Sequence, residues 1–218
     1  MDPRRFFTDA DLEAVSEAAK GAEDRTSGEI VPYVVGACDE YPEAGWKAAA
    51  FGLLAGAAGG FAAHFLGGFW GGSVLQWIVV PAVVLAFVGC CLCRWVPAVR
   101  RSFVRDEILD LRARRRAAVA FVDEEVFSTR DRTGILIFVA VFEHRVIVMG
   151  DAGINRAVPD GAWAGIVDDL VAGIRSGDTA SALIGGIAEC GRLLEKYRVE
   201  IRPDDTDELP NELRLRER

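Results

Sequence analysis

KAAAFGLLAGAAGGFAAHFLGGFWGGSVLQWIVVPAVVLAFVGCCLCR, residues 47–94, begins and ends on a cation and holds no Asp, Glu, Lys or Arg between. The gap is 46 residues long, in a chain of 218 whose charged fraction is 27%. One helix needs roughly 20 apolar residues to cross a ~30 Å hydrocarbon core. The gap holds two such lengths, residues 48–70 and 74–95, joined by Gly71, Gly72 and Ser73. So short a joint makes the two segments antiparallel neighbours, and the reading is a transmembrane hairpin. Its place well inside the sequence sets it apart from a cleavable signal peptide.

Tryptophan placement supports this reading. Trp46 and Trp95 flank the outer ends and Trp70 and Trp77 flank the turn, at the two levels where indole rings meet headgroups. Trp163 lies in a later helical pattern and is expected in a core. Lys47, Arg94, Arg100, Arg101 and Arg105 crowd the open end, whereas the turn has no cation. Cations remain on the cytoplasmic side, so both termini and the soluble part are expected there.

In the first segment Ala48, Gly52, Gly56, Gly60 and His64 recur every four residues; in the second, Ala82, Ala86 and Cys90 do so. Small residues let backbones approach closely in lipid. The stripes pair either within one hairpin or between two copies as a homo-oligomer. Pro81 is expected to leave a modest kink. His64 is an ionisable group at membrane depth, hence a functional candidate. The plainer reading is a neutral histidine hydrogen-bonded across the hairpin. With no carboxylate beside it for a proton relay, the pair reads as an anchor in the lipid bilayer.

The net charge of −8 argues against a nucleic-acid partner. Cys38, Cys90, Cys91, Cys93 and Cys190 form no disulfide framework and no paired C-x-x-C zinc spacing. The Cys90, Cys91, Cys93 cluster reads as small buried thiols, with acylation or a soft metal as alternatives.

Around the hairpin the chain divides into residues 1–45 (first helix and strand of a discontinuous domain), 46–97 (the hairpin), 98–202 (the remainder of that domain) and 203–218 (a charged, loosely held tail). Thr8 or Asp9 caps a helix running to about Asp24. A strand follows over residues 29–35, whose Pro32 predicts an edge or a bulge. Beyond the hairpin, Val104, Ile108, Leu111, Ala118, Val122 and Val126 repeat at helical spacing. Arg112, Arg114, Arg115 and Arg116 on this helix either pair with neighbouring carboxylates or meet anionic lipid. Two β-branched runs, 133–142 and 145–150, meet at a two-residue turn, Glu143-His144. Helices are expected over residues 160–175 and 179–197, with Asp160 and Asp178 as N-caps. The sum is an α/β domain.

This order of elements resembles the TPM-domain family. The resemblance is carried by Thr26-Ser-Gly-Glu-Ile-Val, Thr129-Arg-Asp-Arg-Thr-Gly-Ile-Leu-Ile-Phe-Val and Glu143-His-Arg-Val-Ile-Val-Met-Gly-Asp-Ala-Gly-Ile. It continues in Trp163-Ala-Gly-Ile-Val, Ile174-Arg-Ser-Gly and Ala182-Leu-Ile-Gly-Gly-Ile. It looks like the bacterial branch with a membrane hairpin after the first strand, which implies an inner (cytoplasmic) membrane. The fold implied is an α/β/α sandwich with a small mixed sheet, interrupted by a two-helix transmembrane hairpin.

Family members are associated with assembly or repair of membrane complexes, and some with metal binding or weak phosphatase activity. The family pattern after the second hairpin strand is Gly-x-Gly-Leu-Glu, with Asp at the next helix start. Gly150, Gly153, Ile154 and Asp160 match it with one residue inserted; Asn155 stands where the acid is usual and Asp151 occupies the inserted turn. Asp151 and Asp160 are the candidate ligands for Ca²⁺ or Mg²⁺, which prefer oxygen donors, against the plainer reading of a turn aspartate and a helix cap. Asn155 and Glu143 are the candidate binding residues. The chain has no G-x-S-x-G, H-E-x-x-H, P-loop or Cys–His motif. The expected role is an interaction, assembly or maintenance factor working with other membrane proteins, with a metal-assisted phosphatase as the alternative.

Overall fold

The computed structural model describes residues 2–67, 73–197, 199 and 208–217, with the Asp160 side chain left out. Its regular elements, in chain order, are α1 (Asp9–Glu23), β1 (Glu29–Val35), α2 (Pro42–Leu66), α3 (Val74–Trp95), α4 (Pro97–Ser102) and α5 (Asp106–Asp123). They continue with β2 (Gly134–Ala140), β3 (Arg145–Gly150), α6 (Ala152–Ala157), α7 (Ala164–Ser176), α8 (Thr179–Lys196) and β4 (Arg214–Arg216). The chain forms two compact units, one of Met1–Asp39 with Asp110–Arg218 and one of Glu40–Leu109.

The first unit is built on a mixed four-stranded sheet in the order β3-β2-β1-β4. β1 runs parallel to β2 and β4, and β2 antiparallel to β3. Both central strands are buried along their whole length, so their side chains supply two cores by alternation. Ile30, Val34, Ile135, Ile137 and Val139 face the helices α1, α7 and α8. Val31, Tyr33, Val35, Leu136 and Phe138 face α5. The result is a helix–sheet–helix sandwich, as expected. α1 starts at a capping box in which Thr8 and Asp11 exchange hydrogen bonds. Gly177, at φ +85°, adopts the left-handed conformation that ends α7. Trp163 is buried, 8% exposed.

Several expectations need correction. β1 is a central strand. The Ile30 N–H donates to Glu23 (2.7 Å) and the Gly36 N–H to Arg216 O (2.9 Å), so Pro32 presents its missing donor on that same side. There β4 begins only level with Tyr33, and no ladder bond is lost. The tail is not loose throughout, because residues 214–216 form the fourth strand. The turn between β2 and β3 has four residues, Val141 to His144, with His144 at φ +51°. Asp160 lies just inside a 3₁₀ turn whose N-cap position is Pro159, and Asp178 makes no side-chain cap bond.

The face of α5 is reversed. Leu111, Val119 and Val122 are exposed, at 47%, 48% and 59%, while Ala113, Ala117 and Ala120 meet the sheet. Alanines allow the helix axis to approach the sheet more closely than leucines would, so the periodic large residues mark the outer face.

In the second unit, α2 and α3 are 25 and 22 residues long and apolar enough to cross a membrane. Only 11% and 6% of the residues in their apolar windows are buried, unlike the helices of a globular core. α2 begins earlier than expected, at Pro42. Trp46 and Trp95 are exposed; Gly71, Gly72 and Trp70 lie outside the described residues. Ser73 caps α3 by exchanging bonds with Gln76.

The glycine stripe of α2 packs against α3. A Cβ at Gly52, Gly56 or Gly60 would strike the backbone of Leu85, Pro81 or Trp77. Pro81 has no N–H to offer the Trp77 carbonyl four residues before it, and Gly60 sets its own Cα against that oxygen. On α3, Ala82 is buried and Ala86 half-buried, but Cys90 points outward. The contact continues instead through Gly89, close to Ala48 O, and through Cys93, whose thiol donates to Ala44 O (3.5 Å). The expected cysteine cluster therefore splits. His64 is half-buried, with its ring edge-on to Phe65 at 5.1 Å between centroids. Its buried Nδ1 makes no hydrogen bond among the described residues.

Candidate functional site

The expected site residues do not converge. Asp151 follows β3 and Glu143 precedes it, so six strand residues, about 20 Å at 3.4 Å per residue, separate the two ends. Gly52, Gly56, Gly60, His64, Ala82 and Ala86 belong to the other unit.

At the Asp151 end, the turn conformation comes from backbone packing. Gly153 donates its N–H to Arg132 O (2.8 Å). A Cβ there would collide with the carbonyls of Asp131 and Arg132, so only glycine fits. Arg132 itself sits at φ +59°, a conformation non-glycine residues rarely adopt. That bend aims its guanidinium at Asp151 in a two-pronged pair, Nε to Oδ2 at 2.5 Å and Nη2 to Oδ1 at 2.9 Å. Asp151 also accepts the Ala152 N–H (2.7 Å) as N-cap of α6. Asn155 is exposed; its Nδ2 donates to Gly150 O at 2.7 Å.

Burial pushes the Asp151 carboxyl up, but the Arg132 hydrogen bonds, the Ala152 N–H and the guanidinium charge together outweigh it. The net pKa lies below the usual carboxylate value. A carboxyl depressed in the folded state stabilises the fold above its unfolded pKa of about 3.9, and that contribution disappears as pH falls through the folded value. Asp151→Asn should therefore cost about 1–2 kcal/mol at pH 7. The difference from wild type should shrink in strongly acidic buffer, as measured by urea unfolding at both pH values. An equal deficit at both would mean that the charge is not the cause.

Beside this turn, Glu29 at the start of β1 accepts the backbone N–H groups of Glu208 (3.2 Å) and Leu209 (3.4 Å), and Glu208 accepts the Arg130 N–H (2.8 Å). Arg132, Glu29 and Glu208 carry no local signal in the sequence, since only the fold brings them together. The Asp160 side chain lies outside the described residues. Among those described, no group of three or more His, Cys, Asp or Glu side chains is placed to hold a metal ion, and a cation at Asp151 must displace Arg132.

At the opposite end Glu143 is fully buried, 0% exposed, which places its carboxylate inside the protein and not on a binding surface. Its Oε1 accepts the Cys38 N–H at 2.8 Å. Burial first, then the Glu143 charge and hydrogen bond, push the Cys38 thiol far up, so it is a poor nucleophile. Cys190, also buried, is pushed up to about 12.

Around this end lie several ion pairs. Arg112 meets Asp39 (3.2 Å) and Arg145 approaches Asp110 (3.9 Å). Arg116 donates to the Tyr33 hydroxyl (3.0 Å); further along, past the C-terminal end of α5, Glu124 lies between Arg214 and Arg216, each 3.3 Å away. Arg114 pairs with Asp110 one turn back (2.8 Å). The arginines of α5 with described pairs thus engage carboxylates or a phenol of the same unit.

Residues 108–193 match the family model described as the TPM domain. Among solved structures, the chain is similar to the NMR structure of BA42 protein from the psychrophilic bacterium Bizionia argentinensis. Identity is 21%, the match covers 96% of this chain and 94% of that one, and the TM-score is 0.57. No curated protein matches the chain in sequence. The elements that carry Arg132, Glu143 and Asp151 fall inside the matched stretch, which is similar to a TPM domain.

Proposed function

We propose that this is a bilayer-anchored TPM domain that acts as an interaction, assembly or maintenance factor for membrane protein complexes. The observation that carries the reading is the pair of long, outwardly apolar helices inserted into a sheet domain whose titratable groups are tied to one another. Such helices have few residues buried within the chain, and lipid is the solvent that suits the rest. Cation placement at the open end supports an inner-membrane orientation with both termini and the sheet unit in the cytoplasm. The half-buried edge strand β3 offers backbone groups for pairing with a partner strand.

Metal-assisted phosphatase chemistry is the weaker alternative, because Asp151, its best carboxylate, is committed to Arg132 and to capping α6. Crosslinking the full chain in intact membranes should capture other membrane proteins, and purified protein should release no more phosphate than an Asp151→Asn control. Robust turnover lost in that control reverses the ranking. For the orientation, Ser73→Cys should react with an impermeant maleimide in intact spheroplasts; reaction only after lysis overturns it.

A further inference from the structure

We propose that a groove on one flank of the α2–α3 pair is a phospholipid site, holding one acyl chain along its length and an anionic headgroup phosphate at Lys47. The proposal rests on the bilayer anchoring argued above. The groove has a volume of about 280 Å³ and only apolar lining, including Ala48, Gly52, Ala55, Leu85, Leu92 and Phe103. It exists because Ala48, Gly52 and Ala55 leave a shallow floor on α2 beside the larger side chains of α3.

One end is closed by Phe103, whose ring lies 6.2 Å from that of Phe51. At that end Lys47 Nζ donates to Phe103 O at 3.2 Å. The ammonium has three donors, and no carboxylate among the described residues pairs with it. An apolar channel ending at an uncompensated cation matches the chemistry of an anionic phospholipid.

The test uses the full chain extracted into mild detergent with defined phosphatidylglycerol and phosphatidylcholine, read by native mass spectrometry. Wild type should retain one lipid per chain, favouring phosphatidylglycerol about fivefold, as expected for one lysine near the phosphate. Ala55 is exposed, so Ala55→Phe should fill the groove without disturbing the helix contact and abolish retention. Val88→Phe, from the facing wall, gives a second variant should the first fail to fold.

Lys47→Gln should keep a bound lipid but lose the headgroup preference. Unchanged retention in both groove-filling variants overturns the proposal, as does a second copy of the chain in place of the lipid. A chain recovered as a monodisperse species without detergent overturns the membrane reading itself; one that needs detergent but retains no lipid overturns the groove alone.

Discussion

Glu143→Ala should cost the sheet unit about 3 kcal/mol, a large part of the 5–15 kcal/mol that holds a typical domain folded. The carboxylate is fully buried and accepts the Cys38 N–H, joining segments 105 residues apart. Hydrogen bonds to charged groups are worth about 1.5–3 kcal/mol, and a buried donor left without its acceptor adds its own desolvation cost. The void left by the side chain adds to the loss. Glu143→Gln keeps an amide oxygen for the Cys38 N–H and should recover about half of the deficit. Urea unfolding of the three proteins gives the ranking. A second readout is Cys38, whose thiol should react faster with a maleimide in the alanine variant, since the glutamate no longer opposes ionisation. A loss below about 0.5 kcal/mol would mean that Glu143 holds nothing.

Gly56→Leu should separate the two apolar helices. The added Cβ meets the Pro81 carbonyl, and backbone cannot rotate aside as a side chain can. Overpacking usually costs 1–3 kcal/mol where side chains can adjust; about 3 kcal/mol is expected here. Gly59 supplies the control, since a Cβ there meets nothing within 4 Å. Gly59→Leu should be neutral or slightly stabilising because leucine favours helix over glycine by just under ~1 kcal/mol. Thermal unfolding in detergent, followed by the fluorescence of the five tryptophans, separates the two. Equal effects at both glycines would show that the helices do not meet where Gly56 lies.

The helices α2 and α3 were legible because a run of 46 residues without a carboxylate or a strong cation suits hydrocarbon far better than water. β1, β2 and β3 were legible from β-branched runs, α1 from period and cap, and α7 and α8 from period alone. The inner face of α5 was not, because the helix meets the sheet by Ala113, Ala117 and Ala120 and carries Leu111, Val119 and Val122 outside. β4 was hidden although Leu213-Arg214-Leu215-Arg216 alternates at period two, since a three-residue strand depends on its neighbour more than on its own propensity.

At the site, Asp151 stands out in the sequence as an inserted acid in a glycine-rich turn. Its partner Arg132 does not, because a left-handed arginine is dictated by the backbone around Gly153. Glu143 is conspicuous between two apolar runs, yet that position suggests a surface group. A four-residue turn folds it inward, and nothing local announces that turn.

Placing the apolar pair between β1 and β2 has a consequence for biogenesis. β1 leaves the ribosome about 100 residues before its central partner β2, with every one of its side chains destined for the interior. Until β2 is translated the strand is an exposed, sticky ribbon, the kind of segment chaperones shield. By then α2 and α3 have already been synthesised. Completion of the sheet unit is thereby ordered in time behind synthesis of the apolar pair, so a chain stalled between the two leaves β1 open to proteolysis.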